Sequence, residues 1–196
     1  MKKQIFILLC FFAFSTALCP GISSAKGQKN AVNAGGWAII GLDLEAVVRA
    51  VEFETLLNNN LSILGRLSAL DYEYEESSYE EDGDGFGLGG GIRYYVSGSG
   101  LDGFYLGGSF EFWDVEYDFE EDIIYLGEGD LKAVNVSAEA GYRFMFNDNI
   151  GIVPNARLGN FFTFDEDCTL NSGAACSNDS ELGLYLVLGV LFTFSF

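Results

Sequence analysis

The sequence predicts an all-β fold: a closed eight-stranded antiparallel transmembrane barrel, with short turns at one end and long acidic loops at the other. Three observations carry that expectation. Apolar residues recur at every second position through successive runs of roughly ten residues or more. No stretch beyond the N-terminal segment approaches the about 18 consecutive apolar residues that a spanning helix needs. Acidic residues concentrate between the alternating runs.

The chain opens with Lys2 and Lys3, continues as an apolar run from Ile5 to Phe14, and reaches the small residues Ser23, Ser24 and Ala25. That is the three-part pattern of a secretory signal, so residues 1–25 are assigned to a cleaved signal peptide and 26–196 to one barrel domain. Cys19 follows the bulky Leu18, where lipoprotein signals usually carry a small residue, so cleavage after Ala25 is favoured over lipidation. Residues 26–196 carry 8 basic and 29 acidic side chains, a formal charge of −21, which argues against a nucleic-acid partner. Hydrophobic residues at 49% are too many for a disordered acidic chain, so apolar and acidic groups have to be segregated in space.

Eight strands are expected at residues 31–40, 45–56, 61–74, 86–96, 103–117, 130–145, 150–164 and 182–196. These lengths suit tilted transmembrane strands, which need about 9 to 11 residues to cross the hydrocarbon. The last strand shows the alternation best, with Leu182, Leu184, Leu186, Leu188, Val190, Phe192, Phe194 and Phe196 on one face. An apolar face of that length needs an apolar partner throughout, and lipid supplies one. The short connections, Asn58-Asn59-Asn60, residues 97–102 and Asn147-Asp148-Asn149, alternate with longer ones apart from residues 41–44. Short periplasmic turns and long extracellular loops are the pattern of outer-membrane barrels, and an even strand number puts both termini in the periplasm.

Strand phase sorts the charges. The face opposite the lipid collects Glu52, Glu54, Arg66, Arg93, Glu111, Glu139, Arg143 and Arg157, four acids and four arginines. An unpaired buried charge is very costly, so this balance implies an ion-pair network filling a narrow lumen, without an open pore. In the fourth strand Gly87, Gly89 and Gly91 share that face, as close packing beside aromatic neighbours would require, and residues 85–91 do not open a helix as a phosphate-cradling loop would.

These residues resemble the small eight-stranded outer-membrane barrels typified by the OmpA transmembrane domain and OmpX, over nearly all of residues 26–196. The resemblance implies that the C-terminal strand, ending in Phe192, Phe194 and Phe196, is read by the barrel-assembly machinery. It brings no catalytic motif, and fold alone does not fix function.

Residues 71–84, 114–130 and 165–181 hold 8, 8 and 5 acids and no lysine or arginine. Read as loops, they form an acidic crown beside lipopolysaccharide, whose phosphates would be bridged to it by Mg²⁺ or Ca²⁺. Glu80, Glu81, Asp82 and Asp84 are the candidate ligands for a weak divalent-cation site, although the run lacks the spacing of a calcium loop, and a solvated charged surface is the simpler reading. No cofactor is expected otherwise. Cys168 and Cys176 are expected to form a loop disulfide, as befits an exported chain. With no histidine, a histidine-dependent hydrolase is excluded, and Glu111 with Glu139 is the one acid/base pair to consider, more simply explained as arginine partners. Tyr72, Trp113 and Tyr117 are expected in an interfacial aromatic girdle rather than an adhesive surface. The sequence thus points to a non-enzymatic, monomeric envelope protein contacting outer-membrane lipid, with a transport or ligand-binding barrel as the alternative.

Overall fold

The computed structural model describes residues 28–40, 44–76, 79–96, 100–121, 125–170 and 183–196. Residues 1–25, read above as a cleaved signal peptide, and the expected cleavage site lie outside them. The described chain is eight strands: β1 (Asn30–Ile40), β2 (Leu44–Leu56), β3 (Leu61–Glu76), β4 (Tyr79–Tyr95), β5 (Gly103–Glu121), β6 (Tyr125–Met145), β7 (Ile150–Leu170) and β8 (Leu184–Ser195). Each pairs antiparallel with its sequence neighbours, and β1 pairs with β8, so the sheet closes on itself and has no edge at the level of the shared register. Among the described residues no helix is long and apolar enough to cross a membrane.

The alternation read from the sequence sets the two faces. Outward positions on β5 run Phe104, Leu106, Gly108, Phe110 and Phe112, while Tyr105, Ser109, Glu111 and Trp113 are buried. Leu186, Phe192 and Phe194 on β8, and Phe196 just after it, are about half exposed or more, as are Phe86, Leu88, Ile92 and Tyr94 on β4. An apolar surface encircling the barrel far exceeds what a soluble protein leaves to water, and it fits lipid. Exposed Tyr94, Phe104, Tyr142, Phe146, Phe194 and Phe196 lie toward the end where Asn30 pairs with Phe196.

Two turns at that end use the same chemistry. The Asn58 side chain accepts from the backbone N–H of Asn60 and Leu61, at 2.9 Å each, and Asn147 accepts from Asn149 and Ile150 at 2.9 and 2.8 Å. These Asx turns hold the hairpins tight. The third residue of each then donates its side-chain amide to the neighbouring strand, Asn60 to the Tyr95 carbonyl and Asn149 to the Ser195 carbonyl, both at 2.8 Å. Residues 100–102, the described residues leading into β5, lie at the same end, with the Gly100 N–H donating to the Asn59 carbonyl at 3.2 Å. Gly100 and Gly103 adopt φ of 94° and 87°, conformations that suit glycine, and Leu101 between them is fully buried as a plug.

The other end departs from the sequence expectation of long acidic loops. Pairing of β3 with β4 continues to Glu76↔Tyr79, and pairing of β5 with β6 continues to Glu121↔Tyr125. The β6–β7 ladder continues to Gly127↔Leu170, past a register shift between Lys132 and Ala133. The acidic segments 71–84 and 114–130 are therefore mostly projecting hairpins. The reason is their own alternation: Asp114, Glu116 and Asp118 interleave with Val115, Tyr117 and Phe119, so the strand period persists while the outer face changes from apolar to acidic.

Candidate functional site

The eight charged residues assigned to the lumen meet there. Each is 4% exposed or less. Arg143 on β6 reaches Glu54 on β2 at 2.6 Å. Arg93 on β4 touches Glu52 and Glu54 at 2.9 Å and Glu139 at 2.5 Å. Arg66 on β3 links Glu52 at 2.6 Å, Glu139 at 3.1 Å and Glu111 at 3.3 Å, and Arg157 on β7 closes on Glu111. The cluster is neutral overall, which offsets the large cost of burying charge. Neutral groups add to it: Asn33 donates to Glu52, Ser62 to Glu54 and Ser68 to Glu111. Contacts that run from strand to strand across the interior fill the lumen at this level. Glu111 and Glu139 both serve as arginine acceptors, which leaves neither positioned as a free general base.

A second regularity lines the wall. Seven inward aromatic residues lie directly across the ladder from a glycine: Trp37 from Gly189, Tyr72 from Gly83, Trp113 from Gly87, Tyr105 from Gly141, Tyr117 from Gly129, Phe119 from Gly127 and Tyr185 from Gly159. A Cβ placed at Gly87 would meet the Trp113 ring at 2.8 Å, and one at Gly83 would meet Tyr72 at 2.6 Å. In so narrow a barrel a ring fits only by lying against a strand without a side chain at that point. The rings then present a π-face inward. Arg66 and Arg157 sit over Trp37, 5.2 and 5.1 Å from the ring centre, Arg93 lies 4.8 Å over Tyr105, and Arg143 5.7 Å over Tyr95.

On the projecting hairpins the two faces differ. Asp71, Asp84, Glu116, Asp130 and Asp167 form a continuous cross-strand row on the outer face of β3 to β7. Glu73, Asp82, Asp118 and Glu128 form the next row. Like charges directly opposite one another are unfavourable, so this face depends on water and counter-cations. Inward, the Tyr72 hydroxyl donates to Glu81 at 2.8 Å and Tyr79 donates to the same carboxylate. Burial and the Glu81 charge push the Tyr72 phenol well above its usual range, so it stays a donor. Tyr117 donates to Glu166 at 3.1 Å.

Several expected site residues sit differently. Glu80, Asp82 and Asp84 face outward while Glu81 turns inward, so strand alternation splits the candidate cation ligands, and no group of acids among the described residues is arranged to hold a metal ion. Trp113 and Tyr117, 4% and 6% exposed, belong to the interior rather than a girdle, and Tyr72 faces the same way. Their parity with Glu111 in β5 already placed the first two there. Phe192, Phe194 and Phe196 lie on the lipid side. Cys168 is disulfide-bonded, and Cys176 lies outside the described residues. Sequence reasoning passed over Asn33, Trp37 and Asn155, whose buried Trp37–Asn155 hydrogen bond spans β1 and β7.

Comparison with known proteins agrees on the architecture. Residues 24–196 match the family model of the autotransporter beta-domain. No curated protein matches. Among solved structures, a major outer membrane protein from Thermus thermophilus is 14% identical at a TM-score of 0.52, covering 87% of this chain and 100% of its own. Ail, the attachment invasion locus protein of Yersinia pestis, is 13% identical at 0.50, covering 86% and 98%. Neisserial surface protein A is 8% identical at 0.50, covering 90% and 100%. At these identities the likeness speaks for the fold, that of an outer-membrane barrel.

Proposed function

This chain belongs to the autotransporter beta-domain family, and from that premise we propose that it is a non-enzymatic integral outer-membrane protein whose closed barrel anchors an acidic surface assembly. The observation that carries this reading is the filled, charge-balanced lumen beneath hairpins whose outer faces bear rows of carboxylates. A filled lumen suits an anchor and does not suit a conduit. In this reading residues 1–25 are removed on export, Phe192, Phe194 and Phe196 guide barrel assembly, and the monomer sits in lipid with its termini periplasmic. The acidic rows then approach lipopolysaccharide phosphates through bridging Mg²⁺ or Ca²⁺, held diffusely.

Orientation and role are tested together in intact cells. Glu75→Cys, on a projecting hairpin, is expected to react with a membrane-impermeant maleimide, and Asp148→Cys, in a turn at the opposite end, to be protected. Trimming the hairpins back to the apolar belt is expected to leave a heat-modifiable barrel that no longer supports calcium-dependent retention of lipopolysaccharide. Labelling of Asp148→Cys alone, or retention unaffected by trimming, would contradict the proposal.

A further inference from the structure

The lower lumen shows how this chain holds a cation. A ring lies against a glycine, a guanidinium rests on its inner face, and a carboxylate contacts the same guanidinium: Trp37 on Gly189 with Arg66 and Glu52, and Tyr105 on Gly141 with Arg93 and Glu139. The inner face of the projecting hairpins repeats two of these three parts. Tyr72 lies against Gly83 and Phe119 against Gly127, Tyr79 stacks beside Phe119 with ring centres 6.2 Å apart, and Glu81 supplies the carboxylate between Tyr72 and Tyr79. Trp113 and Tyr117 are buried below as a floor, whereas Tyr72, Tyr79 and Phe119 remain partly exposed and reachable.

Among the described residues no basic side chain lies at this place. Beyond residue 29, the chain's lysines and arginines outside the lumen network are Arg49 and Lys132. Both lie on the outer face, paired with Asp71 and Asp165 respectively. The carboxylate rows around the mouth add a negative potential that concentrates cations from solution.

We propose that this inner face binds a small organic cation of the ammonium or guanidinium class, seated on the rings of Tyr72, Tyr79 and Phe119 and neutralised by Glu81. Ring faces and a partly desolvated carboxylate favour a weakly hydrated organic cation over sodium or a divalent metal. The inference does not depend on which end of the barrel faces outward, so it stands or falls separately from the proposed surface role.

The test uses the folded full-length barrel in maltoside micelles, which contain no choline headgroup. Tetramethylammonium chloride replaces sodium chloride at constant ionic strength while the methyl proton shift is followed by NMR. Saturable binding with an upfield ring-current shift is expected. Glu81→Gln should weaken it about tenfold, and Tyr72→Leu or Phe119→Leu about three- to fivefold. Asp82→Asn, one residue along but on the outer face, should change it less than about twofold. The heat-modifiable gel shift checks that each variant is folded, and the two ring variants carry the test if Glu81→Gln does not fold. Absence of a saturable shift would overturn the proposal, as would an equal loss in Asp82→Asn and Glu81→Gln, the sign of diffuse surface charge.

Discussion

Arg93 has a larger share of the lumen network than any surface ion pair could have of the fold, because three carboxylates, Glu52, Glu54 and Glu139, depend on it. Replacing it with methionine strands part of that negative charge in the interior. Arg93→Met is expected to lower stability by about 3 to 5 kcal/mol, read as a shift in urea unfolding in micelles, whereas Arg49→Ala, which breaks only the exposed pair with Asp71, should cost at most about 1 kcal/mol. Equal effects would mean that the network carries no stability. Gly87 is the sharpest test of the ring-on-glycine packing, since an added methyl meets the Trp113 ring rather than a flexible chain end. Gly87→Ala is expected to destabilise by about 1 to 3 kcal/mol, and a neutral result in the same assay would contradict it. All eight charged residues of the lumen were legible in the sequence because alternation alone assigns a face. Which carboxylate meets which arginine was not, since that depends on how the closed sheet brings β2, β4 and β6 together.

Strand ends were harder to read than strand centres. Acidic runs commonly mark solvated loops, and a switch of the outward residue type from Phe112 to Asp114 resembles the end of a strand when only hydrophobicity is followed. The period-two signal nevertheless continued through Val115, Tyr117 and Phe119, and the ladder follows that signal. Charge changes the environment a strand face can occupy without ending the strand. Consequently the amides of residues 116–120 and 126–130 are expected to be protected in hydrogen exchange to a degree intermediate between the membrane belt and the turns. Exchange at the rate of an unstructured loop would show that these segments do not pair. The turns at the opposite end were legible for a simpler reason, because Asn58 and Asn147 each begin a short polar break with a side chain suited to an Asx turn.

At the scale of the whole molecule, the closed barrel followed from eight alternating runs, and the filled lumen followed from the equality of its buried charges. The aromatic interior of the projecting end was harder to read, because Tyr72, Trp113 and Tyr117 are residue types equally at home in a membrane girdle, and placing them inside meant following strand parity from Arg66 and Glu111 rather than residue type. Lower and upper halves differ: a neutral ionic core and the buried Leu101 occupy the lower interior, and the extended hairpins present acidic outer faces above it. The most direct check on the proposed closed anchor is the conductance of the folded, heat-modifiable protein in a planar lipid bilayer. Insertion without steady ionic current is the expected result, and a reproducible ohmic current from the folded protein would contradict it.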